Sequence, residues 1–278
     1  MTKTFAAVST AALALVAMPA AAQDWQGGYL GIAGGYGFVA DEENETTVFD
    51  TNLDGTFNDT VRTTTGADAF ATGPVPGGFC GGSPNDNNLA GGCEADEDGE
   101  GELSFRGGYD WQSGAMVYGL VAEYTMLEAS DTATAFSITP ALYSFERNLV
   151  AVAAVRARLG YAVGGFLPYA TAGVAYGTFE NEYNTSNTVN TFTPISDGSE
   201  NLGFQVGAGV ETKVNDRIRL GVEYLYTSIE DDSDFTVRIA GGAATSPFRL
   251  VNANGTDQRR SASDFDLHSV RFTVGLSF

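Results

Sequence analysis

One histidine, two cysteines and two tryptophans stand in 278 residues, with 14 Lys and Arg against 35 Asp and Glu. With His268 as the sole imidazole, the usual multi-histidine metal centre is excluded. No metal site and no cofactor are expected. A net charge of −21 repels anionic polymers and excludes a nucleic-acid partner. Long apolar runs are also missing beyond the first residues. The best remaining stretch, Leu149 to Leu167, is broken by Arg156, Arg158, Gly164 and Gly165, whereas a spanning helix needs about 20 mostly apolar residues.

What is present begins with a short export signal. Lys3 precedes an apolar run from Phe5 to Met18, then Pro19 and the Ala20-Ala21-Ala22 triplet. That order is a secretory signal peptide, with cleavage expected after Ala22. Residues 1–22 are therefore read as leader and 23–278 as one mature domain. Export brings Cys80 and Cys93 into an oxidising compartment, so they are expected to form a disulfide.

The mature chain alternates between two textures. Segments of strict two-residue alternation, the period of a strand with unlike faces, are separated by long polar stretches and by short Gly/Asn/Asp turns. Eight such segments occur: about 28–39, 103–112, 116–126, 149–161, 167–179, 202–213, 218–227 and 269–278. Their outward rows are expected to include Leu30, Ile32, Tyr36 and Phe38 in the first, Met116 to Met126 in the third, and Leu149, Ala151, Ala153 and Val155 in the fourth. The fifth segment has two similar faces and its sides are left open. Connections after even-numbered strands are tight. The other four are long: about 40–101, 128–145, 180–201 and 231–266.

An even strand count, segments of about ten residues and alternating short and long connections describe a transmembrane β-barrel with short periplasmic turns and long extracellular loops. In lipid only a closed sheet satisfies every backbone group. The sequence is thus read as all-β, an eight-stranded antiparallel transmembrane barrel. The ending RFTVGLSF fits this reading, since a last strand that closes against the first can run to the terminus. Trp25, Tyr29, Trp111 and Phe278 are expected to share the periplasmic aromatic rim. A soluble eight-stranded barrel would turn its polar row to water instead; the leader, the glycine-rich strands and the terminal Phe favour the membrane.

The opposite face of these strands carries Arg106, Asp110, Glu123, Arg156, Arg158, Glu211, Lys213, Arg219, Glu223 and Arg271. An eight-stranded barrel is just wide enough to be filled by side chains, so these charges are expected to pair across the lumen as a plug. A narrow polar pathway is the alternative. From Asp41 to Glu100 the first long connection holds fourteen acidic residues against one basic residue, Arg62. Its EADEDGEGE stretch fails the calcium-loop template, because the twelfth position from Glu94 is Phe105 rather than Glu. It is read as a solvated, mobile acidic loop, with loose binding of divalent cations as the alternative.

DWQGGYLGIAGGYGF, PYATAGVAYG, GFQVGAGVE, RLGVEYLY and RFTVGLSF, in this order, resemble the small outer-membrane β-barrel proteins of Gram-negative bacteria, the OmpA-like and opacity-type, porin-like surface proteins. The resemblance covers nearly all of the mature chain outside the loops. It implies that Phe272, Val274, Leu276 and Phe278 form the C-terminal signal read by the barrel-assembly machinery. It also implies outer-membrane lipid and lipopolysaccharide as surroundings. OmpA carries a peptidoglycan-binding domain after its barrel; this sequence ends with the barrel, so wall anchoring is not expected.

The leading functional expectation is a structural, surface-interacting monomer, with no enzyme activity and an unidentified surface partner for its loops. A narrow diffusion channel comes second. An outer-membrane hydrolase is third: His268 and Ser269 are adjacent on one strand and so point to opposite faces, which rules out their direct pairing.

Overall fold

The structure, a computed structural model, describes residues 24–39, 45–73, 77–94, 100–196, 200–230, 235–261 and 264–278. The expected leader at 1–22 and residues 95–99 of the acidic stretch lie outside them. Eight long strands, β1 (Gly27–Val39), β2 (Glu100–Ser113), β3 (Met116–Ser137), β4 (Ala141–Tyr161), β5 (Phe166–Thr185), β6 (Glu200–Lys213), β7 (Ile218–Glu230) and β8 (Asp264–Ser277), each pair antiparallel with their neighbours in sequence. The ring closes where β1 meets β8, from Tyr29↔Ser277 to Val39↔Leu267. No helix among the described residues is long and apolar enough to cross a membrane.

Alternation sets which way each side chain points. On β3, Met116, Tyr118, Leu120, Tyr124 and Met126 face outward and are exposed, while Val117, Val121, Glu123 and Thr125 are buried in the lumen. Strand segments of this length suffice to cross a bilayer at a tilt. At one end of the apolar band Trp111 stacks on Tyr118 at 6.0 Å and contacts Tyr109 at 4.9 Å, an aromatic girdle. At the other end the outward rows turn acidic, with Glu128, Glu180, Glu230 and Asp264 exposed. The tight turns lie at the girdle end, which is therefore periplasmic.

The fourth strand departs from its expected facing. Leu149 and Ala151, expected on the outer row, are buried, Leu149 completely. A β-bulge shifts the register between Leu149 and Ala151, and a second lies between Met126 and Ala129. On β4 the extra residue reverses the parity, with Ala151 and Val152 both buried and Leu149 inward, whereas on β3 the buried row Thr125, Leu127 and Ala129 runs on unbroken. The fifth strand, unassigned from sequence, places Leu167, Tyr169, Thr171 and Phe179 inward and Val174 and Tyr176 outward. Trp25 and Tyr29, expected at the outer rim, are 0% and 3% exposed and point into the barrel. There the guanidinium of Arg219 lies over both rings, at 5.5 and 4.5 Å.

The second long loop does not exist as such. β3 and β4 run on for 22 and 21 residues and meet at a short turn around Ile138–Pro140, well past the membrane band. The other connections fold against this tall hairpin. Gly78–Gly81, from the first connection, extends the sheet alongside β3. A separate four-stranded antiparallel sheet joins Thr191–Pro194, Val237–Ala240, Thr256–Arg260 and Thr47–Asp50, so it draws on three connections. Between these layers lies an aromatic core. Phe70 sits 4.7 Å from Phe49, 5.4 Å from Tyr143, 5.9 Å from Phe79 and 6.2 Å from Phe248. The first connection, expected to be solvated and mobile, is thus folded over residues 45–73 and 77–94. Asp50 organises part of it, accepting hydrogen bonds from the backbone N–H groups of Leu53, Asp54 and Gly55 at 2.6, 3.2 and 2.7 Å. Cys80 and Cys93 form a disulfide within it.

Candidate functional site: a charged plug beneath a folded cap

Charged side chains enter the lumen where the opposing strand offers glycine. Arg156 lies across from Gly173, where an added Cβ would come within 2.0 Å of the Val155 carbonyl oxygen. Asp110 lies across from Gly119, where a Cβ would meet Oδ1 at 2.2 Å. Alternating large and absent side chains is what lets a barrel this narrow hold long ionised groups.

Five arginines and five carboxylates meet in this space. Near the middle Glu223 is the hub. Its Oε2 accepts from Arg271 Nη2 at 2.6 Å and Nε at 2.9 Å and lies 3.4 Å from Arg106 and 3.7 Å from Arg156, while Tyr169 donates to Oε1 at 2.8 Å. Glu123 accepts from Arg271 at 2.5 Å and Arg156 at 3.2 Å. Toward the periplasm Arg158 makes a two-pronged contact with Glu211, both bonds 3.1 Å, and Arg219 donates to Asp110 at 2.5 Å. Glu102, not singled out in the sequence, faces inward on β2, accepts from Ser269 Oγ at 2.9 Å and lies 3.9 Å from Arg271. Its even-numbered place in the Ser104–Arg106 row was the available signal. Lys213 stands apart, at the rim: its ammonium lies 5.3 Å over the Trp25 ring and donates to the Asp24 carbonyl. The nine other predicted lumen residues come together in the interior, with Glu102 as the tenth.

Apolar layers close this polar layer from both ends. Below it pack Trp25, Val117 and Leu167. Above it pack Val39, Leu127, Leu149, Phe179, Ile229, Phe265 and Leu267. Leu149 is brought into the upper layer by the bulge.

A second ionic cluster sits above that layer, outside the membrane band, and joins barrel to cap. Asp131 on β3 accepts from Arg147 Nη2 at 2.8 Å and Nε at 3.2 Å, and from Arg260 Nη1 at 2.6 Å. Arg260, on the cap sheet, also binds Glu45 of the first connection, with Nε to Oε1 at 2.7 Å. Burial alone would raise the Asp131 pKa; the Arg147 and Arg260 charges outweigh it and hold the carboxyl below its usual range. A depressed folded pKa adds stability that is present above the unfolded value of about 3.9 and lost as pH falls through the folded one. Acidification below about pH 4 is therefore expected to loosen the cap while the barrel stays folded. Limited proteolysis across a pH series would show this, and Asp131→Asn should remove that part of the acid dependence. None of these four residues was legible as a cluster: Glu45 and Arg260 are 215 positions apart in sequence.

Two other expected sites take definite places. Phe272, Val274, Leu276 and Phe278 form an outward row, 69%, 44%, 60% and 82% exposed. His268 faces outward, stacked on Phe38 at 5.2 Å, with Nδ1 2.6 Å from the Tyr224 hydroxyl, whereas Ser269 points inward. Among the described residues no group of three or more His, Cys, Asp and Glu side chains gathers as a metal site.

The family model described as outer membrane protein beta-barrel domain matches residues 7–278. This chain belongs to that family. As a member of the outer-membrane barrel family, it shares 32% identity over 123 residues with a 22 kDa outer membrane protein of Rhizobium leguminosarum bv. viciae, covering 44% of this chain and 50% of the relative. Against a 31 kDa outer-membrane immunogenic protein of Brucella melitensis it is 38% identical over 76 residues, covering 27% of this chain and 31% of the relative. The chain thus spans half or less of the length of these curated relatives. Among solved structures, the outer membrane protein OprG of Pseudomonas aeruginosa aligns over 92% of this chain and 99% of its own, with 14% identity and a TM-score of 0.49. Membership places the protein in the outer membrane.

Proposed function

We propose that this protein is a non-conducting outer-membrane anchor that displays a folded recognition cap at the cell surface. The observation that carries this reading is the layered interior. The ionic layer is enclosed by the Trp25 layer on the periplasmic side and by the Leu149–Phe265 layer on the other, and the cap core lies above both. A water path would have to cross two apolar layers, and barrels of this size fill their interior with side chains. Because the barrel's strand ring is closed, the membrane-spanning sheet has no edge for pairing with another chain, which supports a monomer set in lipid and lipopolysaccharide. The outward Phe272–Phe278 row is suited to the assembly machinery as its C-terminal signal. The role is non-catalytic: His268 is held by Tyr224 on the lipid face, away from the buried Ser269. That the Brucella relative is named for immunogenicity fits exposure of such a cap.

Single-channel recording of the refolded mature chain in a planar bilayer tests the reading. The expected trace is silent although the protein is inserted, as judged by heat-modifiable migration of the recovered sample. Steady steps whose size scales with salt would replace the anchor by the narrow-channel alternative.

A further inference from the structure

The two apolar layers that enclose the charged plug are not built alike. Each residue named in the upper layer stands on a barrel strand, from Val39 on β1 to Leu267 on β8. That layer cannot open without unpairing the sheet. In the lower layer Val117 and Leu167 stand on β3 and β5, but Trp25 precedes β1. The β1 ladder begins at Gly27↔Asp110 on one side and at Tyr29↔Ser277 on the other. Residues 24–26 are thus outside both ladders, yet Trp25 is fully buried across the periplasmic mouth.

This short segment is held by individual contacts rather than by a sheet. The Trp25 backbone N–H donates to Gln112 Oε1 at 2.6 Å, and Arg219 Nη2 donates to the Trp25 carbonyl at 3.1 Å. The Lys213 ammonium lies over the ring and donates to the Asp24 carbonyl. The indole N–H has no hydrogen-bond partner among the described residues. A buried donor left unpaired costs free energy that water would restore, and this opposes the gain from burying the ring. Directly after the segment comes Gly27, with φ at +128°, a conformation that side-chain-bearing residues rarely adopt. Gly27 and Gly28 therefore join three residues without ladder bonds to a strand that is paired on both sides, the arrangement of a hinge.

We propose that residues 24–26 are a hinged strap that closes the lumen toward the periplasm, with Trp25 as its stopper. The strap swings out at Gly27 and Gly28 while the barrel stays paired. The lower part of the plug, where Arg158 meets Glu211 and Arg219 meets Asp110, is then wetted from the periplasmic side only. The proposal rests on the sealed, non-conducting reading, because the upper layer still blocks a through path when the strap is out.

The test uses the full mature chain refolded in detergent micelles, where both mouths are accessible. Cys80 and Cys93 are joined, so an added cysteine is the one free thiol. Thr171→Cys places it inside, across from Arg158 and at a position 5% exposed. Its labelling by methanethiosulfonate ethylammonium is expected to be slow. Gln112→Ala removes the acceptor of the Trp25 N–H and is expected to accelerate labelling about fivefold or more, the factor given by one lost hydrogen bond. Heat-modifiable migration should not change. Gln112→Glu keeps that acceptor and loses only the donor to the Gly114 carbonyl, so labelling is expected to stay slow. Ser269→Cys, on the extracellular side of the Glu223 hub, is expected to label at one rate whichever residue stands at position 112. Trp111→Phe leaves Trp25 as the only indole, and its quenching by acrylamide is expected to rise with Gln112→Ala in parallel. A Thr171→Cys rate that Gln112→Ala leaves unchanged, or that Gln112→Glu raises as much, overturns the strap. Acceleration at Ser269→Cys as well would mean that the barrel itself loosens, and overturns it too. Conductance steps from the unsubstituted chain would instead overturn the sealed reading on which the strap rests.

Discussion

Replacing Glu223 by Ala is expected to destabilise the barrel by about 3–5 kcal/mol, the usual cost of removing one partner from a buried ionic group. Glu223 stands within 3.7 Å of Arg106, Arg156 and Arg271 and also accepts from Tyr169. Without it those three guanidinium groups share Glu123, and buried donors are left unmatched. The loss is large because the counter-charge cannot be replaced by solvent: apolar layers enclose the site on both sides. Equilibrium refolding in urea with lipid vesicles, read by heat-modifiable migration, gives the magnitude. Glu223→Gln keeps the shape and one set of hydrogen bonds, so a smaller loss is expected there. If both variants refold at the wild-type midpoint, the lumen is wet enough to solvate the arginines and the sealed-plug description is wrong. A double-mutant cycle between Glu223 and Arg271 would then isolate the pair itself.

The second large effect belongs to the cap. Phe70→Ala removes the ring that contacts Phe49, Tyr143, Phe79 and Phe248 together, and truncating a buried Phe costs about 3–5 kcal/mol. Each 1.4 kcal/mol is a tenfold change in an equilibrium, so the open cap should become at least about 100-fold more populated. Protease should then cut the cap readily while the barrel remains heat-modifiable, because barrel strands are paired around a closed ring and do not rely on the aromatic core. Val251→Ala, at a position 60% exposed, should leave the cleavage rate unchanged. Equal cleavage of all three proteins would mean that the connections do not fold as a unit.

Much of the barrel is legible in the sequence, for one physical reason. A strand whose two faces meet different surroundings must alternate with period two, and lipid on one side of a narrow, filled lumen makes that contrast strong. Strand number, the tight turns, the outward apolar rows and nine of the inward charges follow from that period alone. So does the outward direction of His268 and the inward direction of Ser269.

The period stops being informative where an extra residue enters. The bulge near Leu149 reverses parity on β4 and sends Leu149 inward, while the stretch expected as a loop continues as the paired upper halves of β3 and β4. Tyr29 was misplaced against its own period, since it alternates with outward Leu30 and so belongs to the inward row, whereas Trp25 precedes the strand and has no period to place it; inside, the Arg219 guanidinium lies over both rings. The cap was illegible altogether. Its sheet joins residues 47–50 to 256–260, its hub joins Asp131 to Arg147 and Arg260 and, through Arg260, to Glu45, and its core brings Phe49, Phe70 and Phe79 of the first connection against Tyr143 of β4 and Phe248 of the last connection. Local alternation thus determined the membrane barrel from the sequence by itself. Only the tertiary structure decided that the connections above it form one packed body, because that depends on pairings between residues some two hundred positions apart, which no local period encodes.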